Sequence, residues 1–312
     1  MTTPDTEYLF IVGSERSGTT ILGEILDLHP DIRQWYEPYF VWDKHFRLAA
    51  HDERTAEDAT PEVRRYIRKN FEAYRQKSNA RFIVDKSPRN SLKIPFIRQI
   101  FPDARFVHII RDGRDATLSI NREWEKRKKI VEGSGESPGF DYKRALEVIR
   151  AWLSRQPFWK DRIRAFWFET HGHALDKSKH LNRLRWNGRT GWGPRVREWE
   201  KQLAAHTTLQ FNALQWHHCV SSCVKGLEDV EDEQKLTFRY EDFVQQPDQT
   251  IAGILRFVGA GNSPSFYARL PEIKGGNFNK WRKAFTQDEI EEIRPILTPL
   301  LGELGYLDQW PW

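Results

Sequence analysis

The stretch that most restricts what this chain can fold into is EYLFIVGSERSGTTILGEILDLHP, residues 7–30. An apolar run leads into a polar loop, and the loop leads into helical apolar spacing that Pro30 closes. Gly13 and Gly18 bound the loop, and with Thr20 they match the phosphate-loop spacing G-x-x-x-x-G-K-[ST]. Thr19 stands where that template has lysine. Such a loop lets backbone N–H groups approach a phosphate, and the helix N-terminus behind it adds partial positive charge. Ser17, Thr19 and Thr20 supply hydroxyls, and Arg16 a permanent cation able to grip two oxygens. The absent lysine speaks against a β/γ-phosphate pair with Mg²⁺ and for a monophosphate carrying a transferable group. Taken alone, the stretch is also compatible with a glycine turn that merely starts a helix.

Two further runs rich in β-branched residues, RFIVD (81–85) and RFVHIIR (105–111), read as strands, and KLTFRYEDF (235–243) supplies a fourth strand candidate. Helix-like stretches follow at about 90–100, 112–128 and 247–258. Strands alternating with helices predict an α/β fold with a P-loop-like central parallel sheet flanked by helices. From about 123 to 205 the character changes. That segment holds seven of the thirteen tryptophans, from Trp124 to Trp199, and no strand pattern. It reads as a mainly helical, Trp-rich insertion in a single domain, 1–312, whose α/β core takes in about 1–122 and 210–307.

Composition removes several function classes. The net charge of +5, from 49 Lys+Arg against 44 Asp+Glu, favours phosphorylated partners but is too mild to indicate nucleic acid. No run approaches a membrane span, and the first strand begins with no signal-like segment before it, so a cytoplasmic address is expected. Cys219 and Cys223 are the only cysteines, four apart on a helix-like stretch beside His217 and His218. Without zinc-site spacing they read as buried thiols, and no metal site is expected.

A second stretch, FVHIIRDGRDATLSI (106–120), again runs strand, polar turn, helix, with Arg111 ending the strand and Ser119 eight residues on. An arginine and a serine so placed can hold a second anion beside the first. One nucleotide with phosphates at two separated positions explains both loops. On these residues the chain resembles the sulfotransferases that use 3′-phosphoadenosine 5′-phosphosulfate (PAPS). VGSERSGTT is similar to their 5′-phosphosulfate loop in its arginine form, R-S-G-T-T, and RDGRDATLS to their 3′-phosphate motif. FRYEDFVQQPDQTIAGILRFVGA (238–260) resembles the family's Y-E-D strand and following helix. KGGNFNKWRKAFTQDEIEEIRPILTPLLGELGY (274–306) resembles the C-terminal segment of tyrosylprotein and related bacterial enzymes.

The resemblance implies transfer of a sulfuryl group from PAPS to an acceptor hydroxyl by in-line displacement, with 3′,5′-bisphosphoadenosine (PAP) as product and no metal. It implies Glu37, in WYEPYF, as the base, and Arg16 and Lys86, in DKSPRN, as stabilisers of the transferring group. It assigns Arg16, Ser17, Gly18, Thr19 and Thr20 to the 5′ side, Arg111 and Ser119 to the 3′-phosphate, and Tyr240, Lys280 and Trp281 to the nucleotide pocket. Trp35, Tyr36 and Tyr39 would bury Glu37 partly and tune it. His29 and His108 are rival bases, each equally readable as a structural histidine. Asp85 has Lys86 or Arg89 as candidate partners, and Arg122 is a further candidate for the 3′-phosphate. The acceptor is left open among carbohydrate, glycolipid and small metabolite, with a protein tyrosine as the alternative. A nucleotide or small-molecule kinase is the alternative of another class, disfavoured by Thr19.

Overall fold

Strands buried at nearly every position need cover on both faces, and the central strands here have it. The computed structural model describes residues 7–131, 186–187, 191–261, 263–273, 276 and 278–312. Five strands form one parallel sheet: β1 (Glu7–Val12), β2 (Ile32–Tyr36), β3 (Phe82–Lys86), β4 (Arg105–Ile110) and β5 (Lys235–Arg239), in the order β2-β3-β1-β4-β5. Helices α1 (Thr19–Leu26), α2 (Tyr39–Trp42), α3 (Pro61–Ser78), α4 (Ile94–Ile100) and α5 (Gly113–Val131) lie in the first half of the chain. In the second half run Thr208–Leu227, Tyr240–Gln245, Pro247–Val258 and Gln287–Glu303, with shorter turns between.

Alternation along β1 sorts the core into two layers. Leu9 and Ile11 pack with Leu22 and Ile25 of α1 and with Ile251 and Ile254. Phe10 and Val12 face the other way, into Trp35, Trp42, Phe71, Ile97 and Cys223. Because β3 lies on one side of β1 and β4 on the other, the chain crosses over β1 between them. Loops leaving β1 and β4 therefore open away from each other at the carboxyl edge, the crevice where open α/β sheets take ligands.

The parallel sheet and its flanking helices are as the strand–helix alternation predicts, and Pro247–Val258 has the expected bounds. Three elements differ. β2 was not expected: IRQWY carries two polar residues in five, and pairing with β3 is what makes it a strand. The expected strand 235–243 ends at Arg239, where Tyr240–Gln245 turns helical. The stretch 90–100 is a 3₁₀ turn over Pro88–Leu92 followed by α4.

The chain divides into two compact units, Met1–Asn121 with Gly193–Trp312, and Arg122–Trp192. Most of the Trp-rich segment lies outside the described residues. Within the second unit, buried Trp124 and Trp186 meet edge to face at 5.4 Å, and Arg127 lies over the Trp192 ring at 5.4 Å. Trp199, in the first unit, is buried and donates its indole N–H to the Ala50 carbonyl at 2.9 Å. These three buried tryptophans brace the fold and offer no open ring to a ligand. Among the described residues, no helix is long and apolar enough to cross a membrane.

Candidate active site

The loop after β1 approaches its neighbours so closely that only glycine fits at its two ends. A Cβ on Gly13 would lie 2.4 Å from the Ile109 carbonyl oxygen, and one on Gly18 2.6 Å from the Tyr240 ring. Gly18, at φ +90°, is also the N-cap of α1, so it has no side chain to cap the helix, and the first turn carries no acid. The N-terminal amides of α1 are therefore not competed for by a capping side chain. Ser17 is buried and its Oγ lies 2.6 Å from Ser14 Oγ, which braces the loop from within. Thr19 is buried at the helix start and Thr20 is exposed beside it.

The second motif grips the first. Arg111, 7% exposed, donates through Nη1 to the Arg16 carbonyl at 2.7 Å, and Arg16 Nε donates to Ser119 Oγ at 3.0 Å. Tyr240 covers both, its ring against Gly18 and 4.7 Å from the Arg111 guanidinium. The structure thus brings Arg16, Gly18, Arg111, Ser119 and Tyr240 into one cluster. Arg16 sits at φ 63°, outside the comfortable range of a long side chain. Its backbone belongs to the first motif and its guanidinium reaches the second.

Beside this cluster, at the ends of β2 and β3, lies an ion pair. Lys86 Nζ is 2.5 Å from Glu37 Oε1, with side-chain exposures of 2% and 9%. The register that opposes Tyr36 to Lys86 creates it, since Glu37 is the next residue after β2. The Tyr36 ring sits 4.3 Å from the ammonium. Glu37 turns away from the strand at φ 42°, and Tyr39 N donates back to its carbonyl at 2.6 Å. Six described non-glycine residues have positive φ, and three are asparagines, which tolerate it. The other three are Arg16, Glu37 and Glu198. Glu37 is half-buried, as its aromatic neighbours predict, and the Lys86 ammonium lies against its carboxylate. Trp35 faces the opposite side of the sheet, stacked on Tyr74 at 4.3 Å, and Tyr39 carries Arg89 at 3.6 Å.

Asp85 pairs with neither of its expected partners. It points to the other face of β3, where its Oδ2 accepts the Trp42 indole N–H at 2.6 Å, while Arg89 binds Asp43 at 2.9 Å. Burial pushes the Asp85 carboxyl up to about 6 and the nearby Lys93 ammonium down to about 8. The rival histidines are structural. His29 bonds the Gly261 carbonyl at 2.8 Å and receives Asp31 N–H, and buried His108 is pushed down to about 3 by desolvation alone. Lys280 is exposed, directly before Trp281. Trp281 is 1% exposed, flanked by the Arg114 and Arg282 guanidinium groups at 4.4 and 4.6 Å, and its backbone N–H donates to Asp115 Oδ1 at 3.0 Å. Cys219 and Cys223 are buried, and burial raises both thiols. Among the described residues, no group of histidine, cysteine and acidic side chains is placed to hold a metal.

Sequence reasoning missed the supports behind the second motif. Asp112 holds Arg114 through two carboxylate oxygens, at 2.9 and 2.6 Å. Glu241 accepts Asp112 N–H at 3.1 Å and the Tyr306 hydroxyl at 2.9 Å. Burial pushes Glu241 up to about 7. The two-residue spacing of Asp112 and Arg114 was a signal for the first pair; nothing local signals the reach from 241 to 306.

A family model described as the sulfotransferase family matches residues 9–169. Protein-tyrosine sulfotransferase 1 of Homo sapiens is 27% identical over 126 residues, 37% of this chain and 34% of that protein. Nodulation protein NoeE of Sinorhizobium fredii is 25% identical over 130 residues, 37% of this chain and 31% of that protein. The chain thus matches only about a third of the length of these relatives. Among solved structures, the sulfotransferase domain from the curacin biosynthetic pathway aligns with a TM-score of 0.48 at 14% identity, over 95% of this chain and 99% of that one. A mouse sulfotransferase complexed with PAP aligns with a TM-score of 0.47 at 13% identity, over 97% and 89%.

Proposed function

The chain belongs to the sulfotransferase family, and on that premise we propose that it moves a sulfuryl group from PAPS to a hydroxyl of a carbohydrate, glycolipid or small metabolite. The observation that carries this reading is the joining of two anion-binding motifs through Arg16, with the Glu37–Lys86 pair at the adjacent strand ends. A nucleotide with two separated phosphates fits the residues present. Gly13 and Gly18 let the loop pack against Ile109 and Tyr240, and the α1 amides, left without a capping side chain, would bind the 5′ side with Ser17, Thr19 and Thr20. Arg111 and Ser119 bind the 3′-phosphate, while Tyr240, Lys280 and Trp281 shape the pocket around the nucleotide. Bound PAPS supplies the transferable group and the bisphosphate that departs. Glu37 takes the proton of the acceptor hydroxyl on a carboxylate oxygen. Lys86 and Arg16 hold positive charge where negative charge builds on the leaving side.

Calorimetric titration with PAP beside Mg-ATP tests the reading. Tight PAP binding with little ATP affinity supports it and justifies an acceptor screen; preference for Mg-ATP would favour a kinase. A second acceptor class, a protein tyrosine, has specific support in the protein-tyrosine sulfotransferases among the relatives. Turnover of acidic tyrosine peptides over sugars would select it. A cytoplasmic address and an acceptor-binding role for residues 123–205 belong to the same proposal. Cell fractionation and exchange of that segment test them.

A further inference from the structure

The phosphate loop contains a carboxylic acid that sulfuryl transfer does not use. Glu15 stands between Ser14 and the exposed Arg16, yet it turns inward and is 2% exposed. It faces helix Thr208–Leu227, where the buried Cys219 thiol approaches Oε2 at 3.9 Å. Oε1 has no hydrogen-bond partner among the described residues. Gly193 closes the space so tightly that a Cβ there would lie 2.7 Å from Oε1 and 3.1 Å from Gln215 Nε2. Among the described residues no salt bridge reaches it: Arg16, the charged group that acts on it, commits its Nε to Ser119. From the helix the facing titratable group is Cys219, whose thiol burial keeps protonated, and Gly193 brings none. An ionised carboxylate in this place is met only by its own backbone N–H, the Cys219 thiol and the charge of neighbouring Arg16, and desolvation outweighs all three, so a neutral acid fits better.

We infer that Glu15 is a positioning residue that docks the phosphate loop on helix Thr208–Leu227 as a neutral acid, and that its ionisation weakens the loop's hold on the nucleotide's phosphates. The inference rests on the nucleotide-binding reading above. Burial pushes the Glu15 carboxyl from 4.5 up to about 7, which sets the change in the neutral range. Below that pH the loop stays docked; above it a buried negative charge lies one residue from Arg16.

The test compares PAP affinity of the wild type and Glu15→Gln at pH 6 and pH 8 by calorimetry. The phosphates' own second ionisation, near pH 6, is common to both proteins and cancels in the ratio. The variant should match the wild type at pH 6 and bind about fivefold or more tightly than it at pH 8. A ratio that does not change with pH overturns the inference. Thermal unfolding without nucleotide gives a second readout. A raised carboxyl loses its stabilising contribution as pH rises through its folded value, so the wild type should fall relative to Glu15→Gln between about pH 5 and 7 and run parallel above. Parallel profiles throughout also overturn it. Glu15→Met serves the same comparison if the amide is not accommodated. Absence of PAP binding by the wild type at both pH values sinks the nucleotide reading instead, and the unfolding profiles then decide alone whether Glu15 is the neutral docking acid.

Discussion

Glu37 and Lys86 are opposite charges taken out of water together, and each is costly without the other. Removing one partner of a buried pair costs about 3–5 kcal/mol, because the remaining charge is left uncompensated. Lys86→Met should therefore destabilise the fold by about 3 kcal/mol in urea unfolding, and Glu37→Gln/Lys86→Met by less than the sum of the two single changes. Glu37→Gln keeps an oxygen that can accept from Lys86 Nζ but cannot take a proton. It should retain PAP affinity and lose turnover by about 10²–10⁴-fold; joint loss of binding and turnover would remove Glu37 from the base role. Arg111→Ala does the reverse. It breaks the bond to the Arg16 carbonyl and the stack on Tyr240, and should weaken PAP binding by about 1.5–3 kcal/mol in calorimetry. Glu37 and Arg111 were both legible as residue types at recognisable spacing. Lys86 was legible too, but not its pairing: it is 49 residues from Glu37, and only the β2–β3 register sets them side by side.

At the scale of elements, the site depends on how tightly three pieces close on the loop after β1. Gly18 sits under Tyr240 of helix Tyr240–Gln245, and Gly13 against β4. Gly18→Ala would force a side chain into φ +90° and into the Tyr240 ring. Strain of this kind costs about 1–3 kcal/mol, so the variant should unfold at lower urea and bind PAP more weakly, while Gly253→Ala, where a Cβ meets nothing within 4 Å, should do neither. Equal stability of the two variants would mean the loop is not packed as described. The elements most visible in the sequence were those with a continuous apolar run, β1, β3 and β4. β2 escaped notice because Arg33 and Gln34 interrupt its pattern, and its strand character comes from β3 and from Trp35 stacking on Tyr74. The chain beyond Arg239 kept a strand-like composition and still turned helical, since β propensity yields to tertiary packing.

Across the molecule, buried titratable groups oppose one another with pH. Asp85, Glu15 and Glu241 are raised to about 6, 7 and 7, so their contributions hold at low pH and are lost as pH rises through those values. His108 works the other way. It is neutral in the fold down to about 3 but takes a proton near 6.5 when unfolded, so its contribution holds above 6.5 and is lost on acidification. His108→Gln should flatten the acid limb of unfolding free energy between pH 6.5 and 4 by up to about 1.4 kcal/mol per pH unit; an unchanged slope would mean His108 is hydrated in the fold. By itself the sequence determined the α/β class, the two strand–loop–helix motifs and the residue types at the candidate site, because hydrophobic period and glycine position act within a few neighbouring residues. Only the tertiary structure decided the Glu37–Lys86 pairing, the reach of Arg16 to Ser119, the turn of Asp85 to Trp42 and the burial of Glu15. Each of these depends on strand register or on a helix packed from far along the chain, and no local pattern encodes either.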